Sequence, residues 1–258
     1  MSQRLDDGSA GDADYGRVGG AYSQYRRPDP RIAARIVDAL GGARTVLNVG
    51  AGAGSYEPVD REVTAVEPSA SMRTQRPASL APAIDATAEN LPFADDSFDA
   101  AMTTFSVHQG GDLHAGLREM RRVTRGPIVI LTCNPELVRR FWLYDYAPEV
   151  LDTEARRYPS IATMSEVLGG SVGSAVVPVP FDCVDGFNEA YYGRPEALLD
   201  PGARLSCSAW SFVGDAVQGR FTADLGRDLA DGTWDRRFGH LRTQPTFDGS
   251  LVLVVAQP

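Results

Sequence analysis

A short apolar run that closes on three alternating glycines, TVLNVGAGAGSYEP at residues 45–58, constrains the fold of this chain more than any other feature. A strand that stops in such a turn brings its backbone close to a neighbour, and glycine supplies the positive φ and the missing Cβ that this needs. The strand signal repeats at Val63–Val66, weakly at Ala83–Asp85, then at Asp99–Phe105 and Pro127–Thr132, and GSLVLVVAQP closes the chain. Segments that suit helices lie between these runs. PRIAARIVDALGG places Ile32, Ile36, Val37 and Leu40 on one face between Pro30 and Gly41. Ala53–Glu57, Ala70–Arg76 and LHAGLREMRRVT follow. Short strands alternating with helices predict an α/β fold: a doubly wound, mostly parallel sheet with helices on both faces.

The rhythm changes after Thr132. NPELVRRFWLYDYAPEVLDTEARRYPS and the stretch from Phe181 to Val213 are rich in aromatic residues and Arg, with no repeating strand. SIATMSEVLGG reads as a helix, SAVVPVP as a strand weakened by its prolines, and TADLGRDLADGTWDRRFG as one more helix. The expected organisation is a disordered N-terminus over residues 1–14 and a single domain over 15–258. Cap or substrate elements are expected at about 133–165 and 181–220. With 43% apolar residues the chain can bury a sizeable core. A formal net charge of −9 disfavours a nucleic-acid partner. The polar start of the chain does not read as a signal peptide, and no apolar run is long enough to span a membrane. Cys133, Cys183 and Cys207 share no ligand spacing with one another or with the three histidines, so no metal site is expected. Sparse cysteines fit a reducing cytoplasm.

Three features bear on a ligand. Gly50 and Gly52 fit the first two positions of a dinucleotide fingerprint, but the third falls on Ser55, and Gly54 tightens the bend instead. Glu67 ends the next strand, 17 residues after Gly50. There it can accept both hydroxyls of a ribose, or it can cap the following helix in competition with Ser69. DATAENLPFADDSFDAAMTTF then supplies a loop able to close over a purine edge.

Together these motifs resemble the class I S-adenosylmethionine-dependent methyltransferases, of the small-molecule type that includes ubiquinone- and menaquinone-pathway enzymes. The likeness runs from about Tyr22 to Thr132. VLNVGAGAGSY resembles the family's nucleotide-loop motif, VEPSASM its ribose motif and AENLPFADDSFD its adenine-side motif. The resemblance implies a Rossmann-like, seven-stranded sheet, S-adenosyl-L-methionine as cofactor, and a small-molecule acceptor. Gly50, Gly52 and Gly54 would line the cofactor's methionine end, Glu67 would hold the ribose, and Met72 would pack near the adenine or in the core. Thr87, Ala88 and Glu89 would border the adenine edge. Tyr22 and Arg26 would reach the cofactor from upstream. Asn48 stands where the family usually carries an acid, and Thr87 where it often carries Asp.

The segment after the fourth expected strand, TTFSVHQGGD, should lie beside the reactive methyl. His108 there is either a general base or a residue that bonds a neighbouring carbonyl. Trp142, Tyr146, Tyr191 and Tyr192 are candidate acceptor walls, with core packing as the alternative, and Arg194 can pair with an anionic acceptor. Other readings stay open: a cofactor-binding protein that does not transfer methyl, pericyclase-like or a sensor, and a nicotinamide-dependent dehydrogenase.

Overall fold

The computed structural model describes residues 24–258. Tyr22 and the N-terminal stretch 1–14 lie outside the described residues. The first described helix of length, α1 (Pro30–Leu40), starts where Asp29 accepts the Arg31 amide, has Pro30 in its first turn, and stops at Gly41 with φ 56°. Ile32, Ile36 and Leu40 recur every four residues and are buried. Burial of one such side chain contributes about 1.5–3 kcal/mol.

The core of the fold is a six-stranded sheet. Strands β1 (Thr45–Val49), β2 (Glu62–Val66), β3 (Ala100–Thr104) and β4 (Ile128–Cys133) pair in parallel in the order β2-β1-β3-β4. The last strand, β8 (Leu251–Gln257), runs antiparallel between β4 and the edge strand β5 (Ser171–Val176). Alternate residues of the sheet face opposite layers. Val46, Met102, Val129 and Leu131 pack against α1 and the region after β4. Leu47, Val49, Ala101, Ile128 and Ile130 pack with residues of helices α3 (Leu113–Val123) and α5 (Ile161–Leu168). Helix α2 (Ala70–Thr74) follows β2, and its cap is Ser69, whose hydroxyl accepts the Met72 amide. The region after β4 opens with two 3-10 turns before helix α4 (Pro148–Arg157), and also holds further 3-10 turns, α6 (Pro201–Leu205), α7 (Asp215–Ala230) and α8 (Thr233–Phe238). A two-stranded ribbon, β6 (Val179–Pro180) with β7 (Thr246–Phe247), completes the described elements.

Four sequence expectations are corrected. The strand near Ala83–Asp85 shrinks to one parallel bridge, Ile84 to Val66, so among the described residues the sheet has six strands and not seven. Pro82 lacks a donor, and the Ala86 amide turns back onto the Ile84 carbonyl, which ends the ladder. Ala53–Glu57 forms turns and no helix. Tyr56 sits there at φ 64°, with its hydroxyl donating to Asp185 at 2.8 Å, and Pro58 follows. SAVVPVP splits: its first half is the full edge strand β5, and the prolines divide it from β6. The predicted helix TADLGRDLADGTWDRRFG is two helices, broken at Gly232 with φ 75°.

Candidate functional site

A cleft opens at the carboxyl ends of β1, β2 and β3, enclosing about 1020 Å3, part of it open to solvent. Its floor is the glycine turn. Gly50, Gly52 and Gly54 all have positive φ, at 66°, 51° and 95°. A Cβ at Gly50 would meet the Ser106 hydroxyl at 2.6 Å, and one at Gly52 would meet the Met72 methyl at 3.3 Å. Both glycines line the cleft. Gly54 does not: its missing Cβ leaves room for Leu80, which would lie 2.2 Å away, so its work is packing.

Glu67 is the charged group of the cleft floor. It is only 7% exposed, and its carboxylate accepts the Gly52 amide on Oε2 and the Ser69 amide on Oε1, each at 2.8 Å. The same residue therefore fixes the glycine turn and the start of α2. Met72 lines the cleft from α2 and is 4% exposed. Ala88 lines it from the loop before β3. Gly116 of α3 lets that loop approach, since a Cβ there would lie 3.1 Å from the Ala88 methyl. Glu89 accepts the Asp112 amide at 3.0 Å and ties the loop to the head of α3; Thr87 accepts the Asn90 amide and does not line the cleft.

Asn48 is fully buried behind the turn and does not line the cleft. Its amide donates to Glu57 at 3.0 Å, and Glu57 forms a two-pronged ion pair with Arg76, both bonds 2.9 Å. Both partners are almost completely buried. A buried carboxylate thus stands beside Asn48, neutralised by Arg76. Arg26 pairs with Asp185 at 2.5 Å and lies over the Phe105 ring at 4.9 Å, so it backs a wall of the cleft without lining it.

His108 leaves the cleft. Phe105, Ser106, Val107 and Gln109 line it, but the imidazole turns outward onto Tyr158, ring to ring at 4.6 Å, with Nε2 at 2.7 Å from the Gln109 amide nitrogen. Burial, with Arg157 and Arg26 nearby, pushes its pKa down to about 3. The ring is neutral at ordinary pH and too weak a base for the role that its place in the sequence suggested. His114 and His240 are exposed.

The expected acceptor walls are core. Trp142 donates to the Tyr192 carbonyl at 2.9 Å and packs edge-on against Trp234. Tyr146 donates to Asp228, and Tyr192 donates to the Gln244 carbonyl while stacking on Phe247. Tyr191 is 7% exposed beside Arg194, whose guanidinium latches the Cys183 and Ala190 carbonyls. Aromatic rings with satisfied polar tips fill a core as readily as they wall a pocket.

The sequence reading missed a group of polar side chains beneath the region after β4. Tyr158 of α4, whose ring meets His108, lies near Glu154 of the same helix and Cys133 at the end of β4, and Glu154 lies near Asn188 and Glu189. Asn188 donates to Glu154 at 2.7 Å and accepts from the Trp210 indole at 3.0 Å. Glu189 accepts the Ser250 amide on both oxygens. A signal for Glu154 existed: it shares a helical face with the buried Ala147, Val150 and Leu151. Among the described residues no group of His, Cys, Asp and Glu could hold a metal ion, and no helix is long and apolar enough to cross a membrane. All three cysteines are buried and free.

Comparison with known proteins fits this geometry. Residues 47–127 match the family described as "Methyltransferase domain". A demethylmenaquinone methyltransferase of Mycolicibacterium paratuberculosis is 35% identical over 107 residues, 40% of this chain and 46% of that protein, so the chain spans less than half the length of that relative. A malonyl-acyl-carrier-protein O-methyltransferase of Pseudescherichia vulneris is 28% identical over 66% of this chain and 72% of its own. A crystal structure from Anabaena variabilis, assigned provisionally as a methyltransferase of an antibiotic biosynthesis pathway, superposes with a TM-score of 0.83 at 29% identity. It covers 90% of this chain and 99% of that one.

Proposed function

We propose a function from the premise that this chain belongs to the class I S-adenosylmethionine-dependent methyltransferases: it methylates a small-molecule acceptor. The observation that carries the reading is Glu67, a carboxylate pinned by the amides of Gly52 and Ser69 on the floor of an apolar cleft. The residues present fit the cofactor. Glu67 would accept the ribose hydroxyls, Met72 and Ala88 would flank the purine, and the turn at Gly50 and Gly52 leaves the close approach that a Cβ would block. When bound, S-adenosylmethionine supplies a methyl group on a positively charged sulfur, ready for direct transfer. The protein's own part is to hold that group and the acceptor in line and to exclude water.

The turns at residues 53–57 weigh against a dinucleotide. A pyrophosphate is held by the amino end of the helix that follows the glycines, and here no helix follows them. We place the acceptor beneath the segments 133–165 and 181–220, and the enzyme in the cytoplasm, where buried free thiols persist. A net charge of −9 favours a small molecule over nucleic acid as partner.

Calorimetry with S-adenosylhomocysteine and with NAD, followed by incubation with methyl-labelled S-adenosylmethionine and a panel of phenols, carboxylic acids and amines, tests the proposal. Binding of S-adenosylhomocysteine and transfer of label are expected. Binding without transfer to any compound would favour a non-methylating protein on this fold. Binding of NAD alone would overturn the reading.

A further inference from the structure

His108, Glu154 and Tyr158 each keep some accessible surface, yet burial is the largest influence on the ionisation of all three. We infer from this that the three border an internal chamber. Its wall toward the cofactor cleft is shared: Phe105 and Gln109 line the cleft, while Phe105 rests against Phe187 at 5.4 Å and Gln109 touches His108. The chamber therefore adjoins the end of the cleft where β3 stops.

Within it, one carboxylate is held and half unused. Glu154 Oε1 accepts from Asn188, which is itself fixed by Trp210. Oε2 accepts no hydrogen bond among the described residues and is not among the sealed, unpartnered atoms. Glu189, by contrast, spends both oxygens on the Ser250 amide and is 5% exposed. His108 is a weak base, and burial holds the Tyr158 hydroxyl and the Cys133 thiol protonated.

We propose that Glu154 takes the proton released by the methyl acceptor, and that the acceptor is accordingly a neutral protic compound, a hydroxyl or amine, seated in this chamber. The inference rests on the methyltransferase reading above. As the acceptor's oxygen or nitrogen forms its bond to the methyl carbon, the carbon–sulfur bond breaks with its electron pair left on sulfur, and the O–H or N–H proton passes to Glu154 Oε2. No further reactant is needed. Burial, and then the charge of Glu189, push Glu154 up to about 7, against Asn188, Arg157 and Arg26; Tyr158, Cys133 and Cys207 also face it. A carboxylate so placed is ionised in part near neutral pH and basic enough to accept a proton.

The test compares wild type, Glu154→Gln and Glu154→Asp. The glutamine keeps the shape and the Asn188 bond, and the aspartate keeps a carboxylate. Three readouts are taken: affinity for S-adenosylhomocysteine, the pH dependence of the thermal midpoint, and transfer of labelled methyl to phenols, aliphatic alcohols, primary amines and carboxylates. Loss of S-adenosylhomocysteine binding in wild type would sink the methyltransferase reading itself. With binding intact, label is expected on phenols, alcohols or amines. Glu154→Gln should lower that turnover by about 10²–10⁴-fold with affinity for S-adenosylhomocysteine unchanged, and Glu154→Asp should recover part of it. A carboxyl raised in the folded state stabilises below its unfolded value, near 4.5, and that contribution is lost as pH rises through about 7. The midpoint of wild type should thus fall relative to Glu154→Gln across that window. Label on carboxylates only or on nothing, unchanged turnover in Glu154→Gln, or parallel midpoints would each overturn the assignment of Glu154.

Discussion

The proposed cofactor cleft and the inferred acceptor chamber share one wall but are built by opposite means. The cleft is made of consecutive backbone: a turn of residues 50–55 and one carboxylate, Glu67, that bonds the amides of Gly52 and Ser69. The chamber is made of side chains from distant places, with Cys133, Glu154, Tyr158 and Asn188 brought together only by the packing of the region after β4. The first kind of site depends on local conformation. The second depends on burial, which sets the ionisation of His108 and Glu154 in opposite directions.

That contrast can be broken most sharply at Gly52. Its φ of 51° strains any other residue, and a larger side chain would push into Met72. Gly52→Val should abolish binding of S-adenosylhomocysteine by calorimetry while circular dichroism keeps most of the helix signal. Normal binding would mean the turn does not face the cofactor. Next in size is Trp142→Ala. Removing a buried indole costs about 3–5 kcal/mol of stability, read by denaturant unfolding. In the fraction that stays folded, cofactor affinity should not change. A variant of normal stability with altered substrate preference would restore Trp142 to the acceptor wall.

Glu67→Ala should weaken S-adenosylhomocysteine binding by about 1.5–3 kcal/mol, the range for hydrogen bonds to a charged group. The thermal midpoint should drop as well, because the amides of Gly52 and Ser69 lose their acceptor. Unchanged affinity in a folded variant would remove Glu67 from the site. The smallest effect is expected at His108. Because its folded pKa is lowered, its contribution to stability is present above the unfolded value of 6.5 and is lost as pH falls toward about 3. His108→Gln should flatten the acid side of the stability profile and change turnover only a few fold. A loss of 10²-fold or more with an ionisation near pH 6–7 removed would return the general base to His108.

The same contrast explains what could be read from the sequence. The parallel strands, the glycine turn and Glu67 were legible because strand periodicity and positive φ are local demands on residue type. The missing helix at 53–57 was not, because Tyr56 is drawn to Asp185, 129 residues further on. Glu57 gave no local sign that it would neutralise Arg76 beneath the turn and accept from Asn48. The aromatic residues after Thr132 misled, since Trp142 and Tyr192 look alike in sequence whether they wall a pocket or, as here, satisfy their polar tips on backbone carbonyls in the core. Glu154 left a faint trace, an acid on the apolar face of its helix, but its half-used carboxylate appears only once Asn188 and Trp210 are in place.

A crystal structure with S-adenosylhomocysteine tests the division between the two regions most directly. The ribose hydroxyls should lie on the Glu67 carboxylate, the purine between Met72 and Ala88, and the sulfur toward segment 105–109 with the chamber of Glu154 beyond it. A ligand whose ribose makes no bond to Glu67, or that points its sulfur away from segment 105–109, would contradict the account.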